Sequence, residues 1–156
     1  MIDLRPAVPD DDATLLDIDR ATWTSAMSPV PVPDRATFFR DDVDVYLVAE
    51  VDGVVSGYVF LYQNIPTASH AHVLAIGGLA VAPAVQGHGV GRRLVAGAVS
   101  AAAARGATKV TLRVLGPNAG ARRLYERCGF VVEGVLRGEF LIDGELVDDV
   151  LMARRL

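Results

Sequence analysis

The sequence is poor in cysteine, and this scarcity excludes several kinds of protein. Its 156 residues contain one cysteine, Cys128, so an internal disulfide or a cysteine-based metal site cannot form. We therefore expect no metal centre and a reducing, cytoplasmic location. Cys128 directly precedes Gly129-Phe130 and has no histidine near it in the sequence. This context favours a packing role over that of a nucleophile.

Leader-like, membrane-spanning and strongly basic segments are also missing. Met1–Arg5 lacks the basic stretch and following apolar run of a signal peptide. Val90–Ala104, the longest weakly polar region, is broken by arginines, which argues against a membrane span. The net charge of −4 argues against nucleic acid as the main partner, because phosphate binding needs a basic surface. Without a repeat or linker, residues 1–156 are expected to form a single domain.

Apolar periodicity in the first half predicts strands and helices around one strong turn signal, Asp52-Gly53. A run that contains three prolines predicts a loop, and Asp34 is a natural cap for a short helix. The predicted elements are a strand over Ile2–Arg5, a helix over Pro9–Trp23, a loop over Met27–Pro33, a helix over Asp34–Arg40, and a hairpin of Val45–Val51 and Val54–Tyr62.

The second half is punctuated by glycines. Gly77-Gly78 inside a strand indicates a bulge or a close backbone approach, and Gly106 and Gly129 each end a helix. The predicted elements are strand His72–Val81, helix Val90–Arg105, strand Lys109–Leu115, a helix capped by Asn118, and strands Phe130–Leu136 and Leu146–Ala153 around Asp143-Gly144. This order predicts an α/β or α+β domain built on a mixed sheet.

The most informative segment is the glycine-rich loop Gln86–Arg92, which joins a predicted strand to a predicted helix. Glycine allows positive φ and close backbone approach, so several N–H groups can point at one anion. The helix start adds partial positive charge. Together these features suit a pyrophosphate, and the alternative is a tight strand–helix turn without a ligand.

Two familiar phosphate loops do not fit this segment. A Walker loop ends in Gly-Lys-Ser/Thr, and no lysine is present here. A dinucleotide fingerprint that starts at Gly87 and Gly89 needs glycine at position 92, which is Arg92. It also needs an acidic residue about twenty positions later, and Ala107–Val114 has none.

The pattern that does fit is Gln-Gly-x-Gly-Val-Gly-x-x-Leu, preceded by Val-x-Pro. With it the sequence resembles the GNAT superfamily of N-acetyltransferases. The resemblance covers nearly the whole chain, including Leu4-Arg5-Pro6-Ala7 and the run Asn118-x-x-Ala121-x-x-Leu124-Tyr125-Glu126-x-x-Gly129-Phe130. It implies a mixed, mostly antiparallel sheet of six to seven strands with helices on both faces.

The resemblance also implies acetyl-CoA as the acyl donor and assigns the residues that would bind it. Leu79, Ala80 and Val81 would offer backbone groups to the pantetheine arm, and Gly77-Gly78 would open the cleft for it. Asn118 would contact the cofactor beside the thioester. The pyrophosphate would be held, mostly by N–H groups, at Gln86, Gly87, His88, Gly89, Val90, Gly91 and Arg92.

Tyr125 is the expected catalytic residue. Attack of an amine on a thioester expels a thiolate, which a nearby O–H group can protonate. Tyr125 lies seven residues after Asn118, so both share one helix face, and it matches the tyrosine that the family uses as general acid. The alternative is a core aromatic that packs beside Leu124 and Cys128.

The general base is not assigned. Positions that are acidic in many relatives are Ala75 and Arg113 here, and neither can accept a proton from an ammonium group. His70, His72 and Glu50 are candidates, although a surface or packing role fits each of them as well. Strand alternation turns Arg113 away from Val110, Leu112 and Val114, where it would bind a carboxylate of the acceptor or pair with an acidic residue.

These observations predict a cytoplasmic N-acetyltransferase that moves an acetyl group to an amine of a small molecule or a protein N-terminus, by direct attack in a ternary complex. The alternative is a module of the same fold that binds or senses acetyl-CoA without turnover. His72 and Arg113 are the residues predicted to contact the acceptor. The resemblance allows a homodimer, since relatives often pair.

Overall fold

The computed structural model describes residues 1–30 and 34–156, so the end of the predicted loop Met27–Pro33 lies outside the described residues. Most predicted elements are present within two residues of their expected bounds. The strands are β1 Ile2–Pro6, β2 Val45–Val51, β3 Val54–Tyr62, β4 Val73–Val81, β5 Lys109–Leu115, β6 Val131–Ile142 and β7 Glu145–Arg155. The helices are α1 Asp12–Thr22, α2 Val90–Ala104 and α3 Ala119–Arg127.

The seven strands form one sheet in the order β1-β2-β3-β4-β5-β7-β6. Every neighbouring pair is antiparallel except β4 and β5, which run parallel. One face packs on α2 and α3 through a core that includes Leu94, Leu112 and Met152. The other face packs on α1 through Leu15 and Phe60. The predicted mixed, mostly antiparallel sheet with helices on both faces is therefore confirmed.

The parallel strands β4 and β5 separate halfway along their length. Their pairing runs from Val73 with Lys109 to Ile76 with Leu112 and goes no further. At this point Gly77 bulges out of the register between β3 and β4. A Cβ at Gly77 or Gly78 would lie 2.3 or 2.4 Å from the Phe60 ring, so only glycine fits beneath it. The predicted bulge thus marks the opening of a cleft.

The predicted helix over Asp34–Arg40 is wrong, because residues 34–40 form no helix. Their backbone donors find other acceptors: Asp12 Oδ1 accepts from the N–H groups of Phe38 and Phe39 at 2.9 and 3.1 Å. The Phe38 side chain is 1% exposed in the core beneath α1. Tertiary contacts with α1 have replaced the local helical bonds that the capping pattern suggested.

The last hairpin is longer than predicted, since β6 extends to Ile142 and β7 to Arg155. The pairing of β6 with β7 shifts register twice, near Gly134 and again between Leu136 and Phe140. These irregularities break the simple alternation that sequence patterns rely on. The turn itself is where it was predicted, with Asp143 and Gly144 both at positive φ.

Candidate active site

The loop before α2 has a backbone that depends on glycine. Gly87 and Gly89 adopt φ of +80° and +87°, the left-handed region that other residues seldom enter. Gly89 serves as the N-cap of α2, and Val90 is buried beneath it. The chain therefore turns sharply into a helix whose first residue is anchored in the core.

Backbone donors are concentrated at this helix start. The first intrahelical bond found there joins Arg93 N–H to Gly89 O, at 3.1 Å. The N–H groups of the first turn precede it and have no acceptor inside the helix. The Gln86 side chain donates to Val81 O at 3.0 Å, and His88 Nδ1 lies 2.9 Å from Gln86 O. Both side chains stabilise the loop, which leaves its N–H groups to bind an anion.

Within the described chain, no strand pairs with the edge of β4 beside this loop, where Val81 O accepts from the Gln86 side chain. Beyond Ile76, no strand pairs with the side of β4 that faces β5. Leu79 and Val81 are half-buried toward the core of α2 and α3, and Ala80 is buried on the opposite face. An extended chain with amide groups can pair with this edge in the manner of an additional strand.

Asn118 caps α3, which packs against the start of α2. Asn118 Oδ1 accepts from Ala121 N–H at 3.2 Å, which confirms the predicted helix cap. A Cβ at Gly91 would lie 3.2 Å from Leu124, so α2 and α3 meet at this pair. The contact of Gly91 with Leu124 thus brings the start of α2 against α3, and Asn118 follows β5, the strand that separates from β4.

Tyr125 lies on the side of α3 that faces the sheet and is 8% exposed. Its ring contacts the Phe130 ring edge-on, with centroids 5.8 Å apart. Burial raises the pKa of Tyr125 to about 12, so the phenol is protonated at neutral pH. The position satisfies both interpretations of this residue, since a core aromatic can also present its hydroxyl to a neighbouring ligand.

Arg113 lies on the sheet face away from α3, as alternation predicted. Its side chain is 54% exposed, and its Nε donates to Asp149 Oδ2 at 2.5 Å. The Asp149 side chain is only 3% exposed. The ion pair foreseen as one alternative for Arg113 therefore exists, and Asp149 is a residue that sequence reasoning did not connect with it. Only the register that sets Leu115 opposite Asp149 brings the pair together.

The histidine candidates are not part of this cleft. His72 precedes β4 at its closed end, where its carbonyl accepts from the N–H groups of Thr108 and Lys109. Leu79 lies seven positions further along the chain, about 23 Å away at about 3.3 Å per residue. The next residue, Val73, pairs with Lys109, four positions before Arg113 on β5, so the structure does not bring the predicted acceptor contact His72 together with Arg113. His70 lies in the short turn just before it.

The remaining candidate base, Glu50, lies on β2, where its side chain accepts a hydrogen bond from Arg5 Nε at 2.7 Å. Ala75 is buried and has no ionisable group. Across residues 1–30 and 34–156, no three His, Cys, Asp or Glu side chains cluster as metal ligands would. In the same ranges no helix has the length and apolar character needed to cross a membrane.

Comparison with known proteins identifies one family. Residues 13–130 match the family model described as acetyltransferase (GNAT) family. Phosphinothricin N-acetyltransferase of Alcaligenes faecalis is 32% identical over 142 residues, which cover 86% of this chain and 71% of that protein. Mycothiol acetyltransferase of Beutenbergia cavernae is 39% identical over 98 residues, which cover 63% of this chain but only 29% of that protein.

Solved structures share the whole fold. The structure of smu.2055 from Streptococcus mutans superposes with a TM-score of 0.90 at 26% identity and covers 98% of both chains. That of yncA from Salmonella typhimurium, solved with its cofactor acetyl-CoA, superposes with a TM-score of 0.84 at 24% identity. It covers all of this chain and 94% of the other. At 24% identity, the similarity to yncA shows a shared fold only.

Proposed function

The chain belongs to the acetyltransferase (GNAT) family, and from that premise we propose that it acetylates an amine of a small molecule or a protein N-terminus. As a member of the family it is an acyltransferase whose donor is acetyl-CoA. The observation that carries the proposal is the cleft where β4 and β5 separate. It joins a free strand edge for an amide-containing arm to a helix start with unpaired N–H groups for phosphates.

In the proposed donor complex the pantetheine arm lies along Leu79–Val81, and the pyrophosphate is bound by the loop Gln86–Arg92. Asn118, at the start of α3, contacts the cofactor beside the thioester. The support is positional, because Leu79–Val81 lead into the loop and Asn118 follows β5, the strand that separates from β4. Phosphate binding by the loop relies on N–H groups, which explains why the Gln86 and His88 side chains can turn inward.

The proposed reaction is a direct transfer within the ternary complex. The neutral amine nitrogen bonds to the thioester carbonyl carbon, and the resulting oxyanion is stabilised by backbone donors on β4. When this intermediate collapses, the C–S bond breaks and the thiolate takes a proton from the Tyr125 hydroxyl. The attacking nitrogen loses its own proton to solvent, and solvent returns a proton to the Tyr125 phenolate.

For the acceptor we propose an amine that also carries a carboxylate, bound by Arg113. Asp149 engages Nε and Nη2 of Arg113, which leaves Nη1 of an exposed guanidinium for a second anion. Because Asp149 is buried and cannot move toward solvent, it holds the guanidinium in place. Polyamines would be disfavoured near this cation, although Asp149 offsets part of its charge.

An acceptor screen that measures CoA thiol release tests both the acetyl transfer and the proposed class of acceptor. We expect amino acids and related amines to be acetylated faster than spermidine. Arg113→Ala should raise KM for them about 10- to 100-fold, which corresponds to about 1.4–3 kcal/mol. Lys109→Ala is the matched control, since Lys109 is on the same strand and face and pairs with Glu133.

The outcomes of the screen are distinct. If no amine releases CoA although acetyl-CoA binds, the chain is a binding or sensing module of this fold. If spermidine is the best acceptor, or Arg113→Ala leaves KM unchanged, the ion pair with Asp149 is structural and the acceptor class is wrong. A cytoplasmic location remains a prediction that rests on the single cysteine.

We also propose that the protein forms a homodimer through β6, the edge strand of the sheet. Apolar side chains on the β6–β7 hairpin are exposed, including Val131 at 64%, Leu141 at 71% and Leu146 at 73%. Long apolar edge strands favour pairing with another chain. Sedimentation should show a dimer that Leu141→Glu dissociates, and a wild-type monomer at high protein concentration would contradict this.

A further inference from the structure

Two aromatic side chains of β3 lie against the bulge where β4 leaves β5. A Cβ at Gly77 would lie 2.3 Å from the Phe60 ring and 2.8 Å from the Tyr62 ring. Both rings belong to the sheet face that packs on α1. Arg113 lies on this same face, because its neighbours Leu112 and Val114 face the other way. The two rings and the guanidinium group proposed to bind the acceptor therefore share one side of the sheet.

Gly77 and Arg113 are also at the same level of the sheet. The last pair between β4 and β5 joins Ile76 to Leu112, and Gly77 and Arg113 are the next residues of the two strands. The backbones of paired strands are about 5 Å apart, and the two strands separate beyond this pair. The rings that lie against Gly77 are therefore on the β4 side of the opening, and Arg113 is on its β5 side.

This part of the sheet face is open to solvent. Gly77 is exposed although two rings lie against it, and Tyr62 is half-buried, whereas Phe60 is 8% exposed. The Arg113 side chain is 54% exposed and is held by Asp149 through Nε and Nη2. Tyr62 is therefore the ring that offers apolar surface to a bound molecule, beside a guanidinium group that is accessible and fixed in place.

The charge around Tyr62 limits what such a molecule can carry. Tyr62 also lines a surface depression together with Asp41, Asp42 and Asp44. Arg40 pairs with Asp42 at 2.6 Å and offsets one of these three carboxylates. The remaining negative charge would repel a second anionic group placed near Tyr62, whereas an aromatic group would gain contact with the ring.

We propose that Tyr62 determines which side chain the acceptor carries, and that the acceptor is an amine with one carboxylate and an aromatic side chain. Arg113 binds the carboxylate, the aromatic group packs on the Tyr62 ring, and the exposed backbone at Gly77 lies between these two contacts. The inference rests on the proposed function, because it takes Arg113 as the carboxylate contact. It adds the chemistry of the side chain and disfavours acceptors with a second carboxylate.

The test is calorimetry of the full chain, saturated with CoA, against three carboxylates that have no amine and cannot be acetylated. 3-Phenylpropanoate should bind with a Kd in the millimolar range or tighter. Propanoate lacks the ring and glutarate replaces it with a second carboxylate, so each should bind about tenfold more weakly. Equal affinity for propanoate, tighter binding of glutarate, or no heat with 3-phenylpropanoate up to about 50 mM would overturn the proposal.

Variants assign the aromatic contact to Tyr62. Tyr62→Ala should weaken the binding of 3-phenylpropanoate about tenfold and leave that of propanoate unchanged. Tyr62→Phe is the matched control, because it keeps the ring and should bind both ligands as the wild type does. Arg113→Ala should weaken both ligands alike. Full retention of 3-phenylpropanoate in Tyr62→Ala, or an equal loss of both ligands there with Tm unchanged, would refute the role of Tyr62.

Turnover separates this inference from the proposed function. L-Phenylalanine should show a KM about tenfold lower than L-alanine, and Tyr62→Ala should remove the difference. If the three carboxylates bind as expected but no amine releases CoA thiol, the proposed transfer is wrong and the specificity of the site is supported. If the wild type acetylates L-alanine as efficiently as L-phenylalanine, the transfer is supported and the role of Tyr62 is refuted.

Discussion

At the residue scale, burial determines the protonation state of Tyr125, the residue proposed as general acid. Its ring is fixed by Phe130, and removal from water disfavours the phenolate. The neighbouring Cys128 thiol responds in the same direction, since burial raises its pKa as well. A thiol that stays protonated is a poor nucleophile, which agrees with the packing role expected of Cys128.

Tyr125→Phe should lower kcat by about 10²-fold, because the proton for the leaving thiolate is lost. Phenylalanine retains the ring contact with Phe130, so Tm and the Kd for acetyl-CoA should change little. The measurement is CoA release at saturating donor, with calorimetry of donor binding alongside. Equal losses of binding and stability, with turnover per bound donor preserved, would make Tyr125 a structural residue.

The pH dependence of turnover gives an independent check on the same residue. A general acid works in its protonated form, and a pKa raised to about 12 keeps Tyr125 protonated throughout the accessible range. We expect kcat/KM to rise with pH as the acceptor amine deprotonates and then to remain level up to pH 10. An alkaline decline below pH 10 that disappears in Tyr125→Phe would show that the phenol titrates normally.

At the element scale, the loop between β4 and α2 depends on positive φ. Gly53 in the β2–β3 turn provides a matched case, with φ of +82° against +87° at Gly89. A Cβ at either position has open space within 4 Å. Any difference in acetyl-CoA binding between the two alanine variants must therefore come from the function of the surrounding loop and not from a steric clash.

Gly89→Ala and Gly53→Ala should lose similar free energies of unfolding, about 1–2 kcal/mol each, from the strained left-handed backbone. Only Gly89→Ala should weaken acetyl-CoA binding, by about tenfold or more, since the substitution would displace the N–H groups of the loop from the phosphates. Urea denaturation and calorimetry give the two quantities. Equal donor affinity in the two variants would mean that the loop does not bind the pyrophosphate.

At the scale of the whole molecule, one ion-pair network joins the first strand to the start of α1 and to β2. Arg5 donates to both oxygens of Asp11, at 2.7 and 2.9 Å, and to Glu50. Asp11 is 6% exposed and also accepts from Val8 N–H. Arg5 holds the pKa of Asp11 below its ordinary range, against the opposing effect of burial.

Asp11→Asn should lower the free energy of unfolding by about 2 kcal/mol at pH 7, as expected for a hydrogen bond to a charged group. A depressed carboxyl pKa stabilises the fold above the unfolded-state pKa and loses this effect as pH falls through the folded-state value. The difference from the wild type should therefore shrink below pH 4. Urea titrations at pH 7 and pH 3 measure it.

Asp42→Asn is the control for this prediction, because its ion pair with Arg40 is exposed to solvent. It should leave stability at pH 7 unchanged within error. A pH-independent loss in Asp11→Asn would assign the effect to packing of the side chain and not to its charge.

Local sequence determined most of the elements, the glycine-rich loop and the bulge, and tertiary structure decided which side chains meet. Positive φ at Gly89 and the cap at Asn118 are local properties of a few neighbouring residues, so they could be predicted. The helix over 34–40 failed because Asp12, far away in the chain, takes its backbone donors. The pairing of Arg113 with Asp149 depends on strand register, and the separation of His72 from the cleft depends on strand direction and length. Neither property is visible in a local pattern.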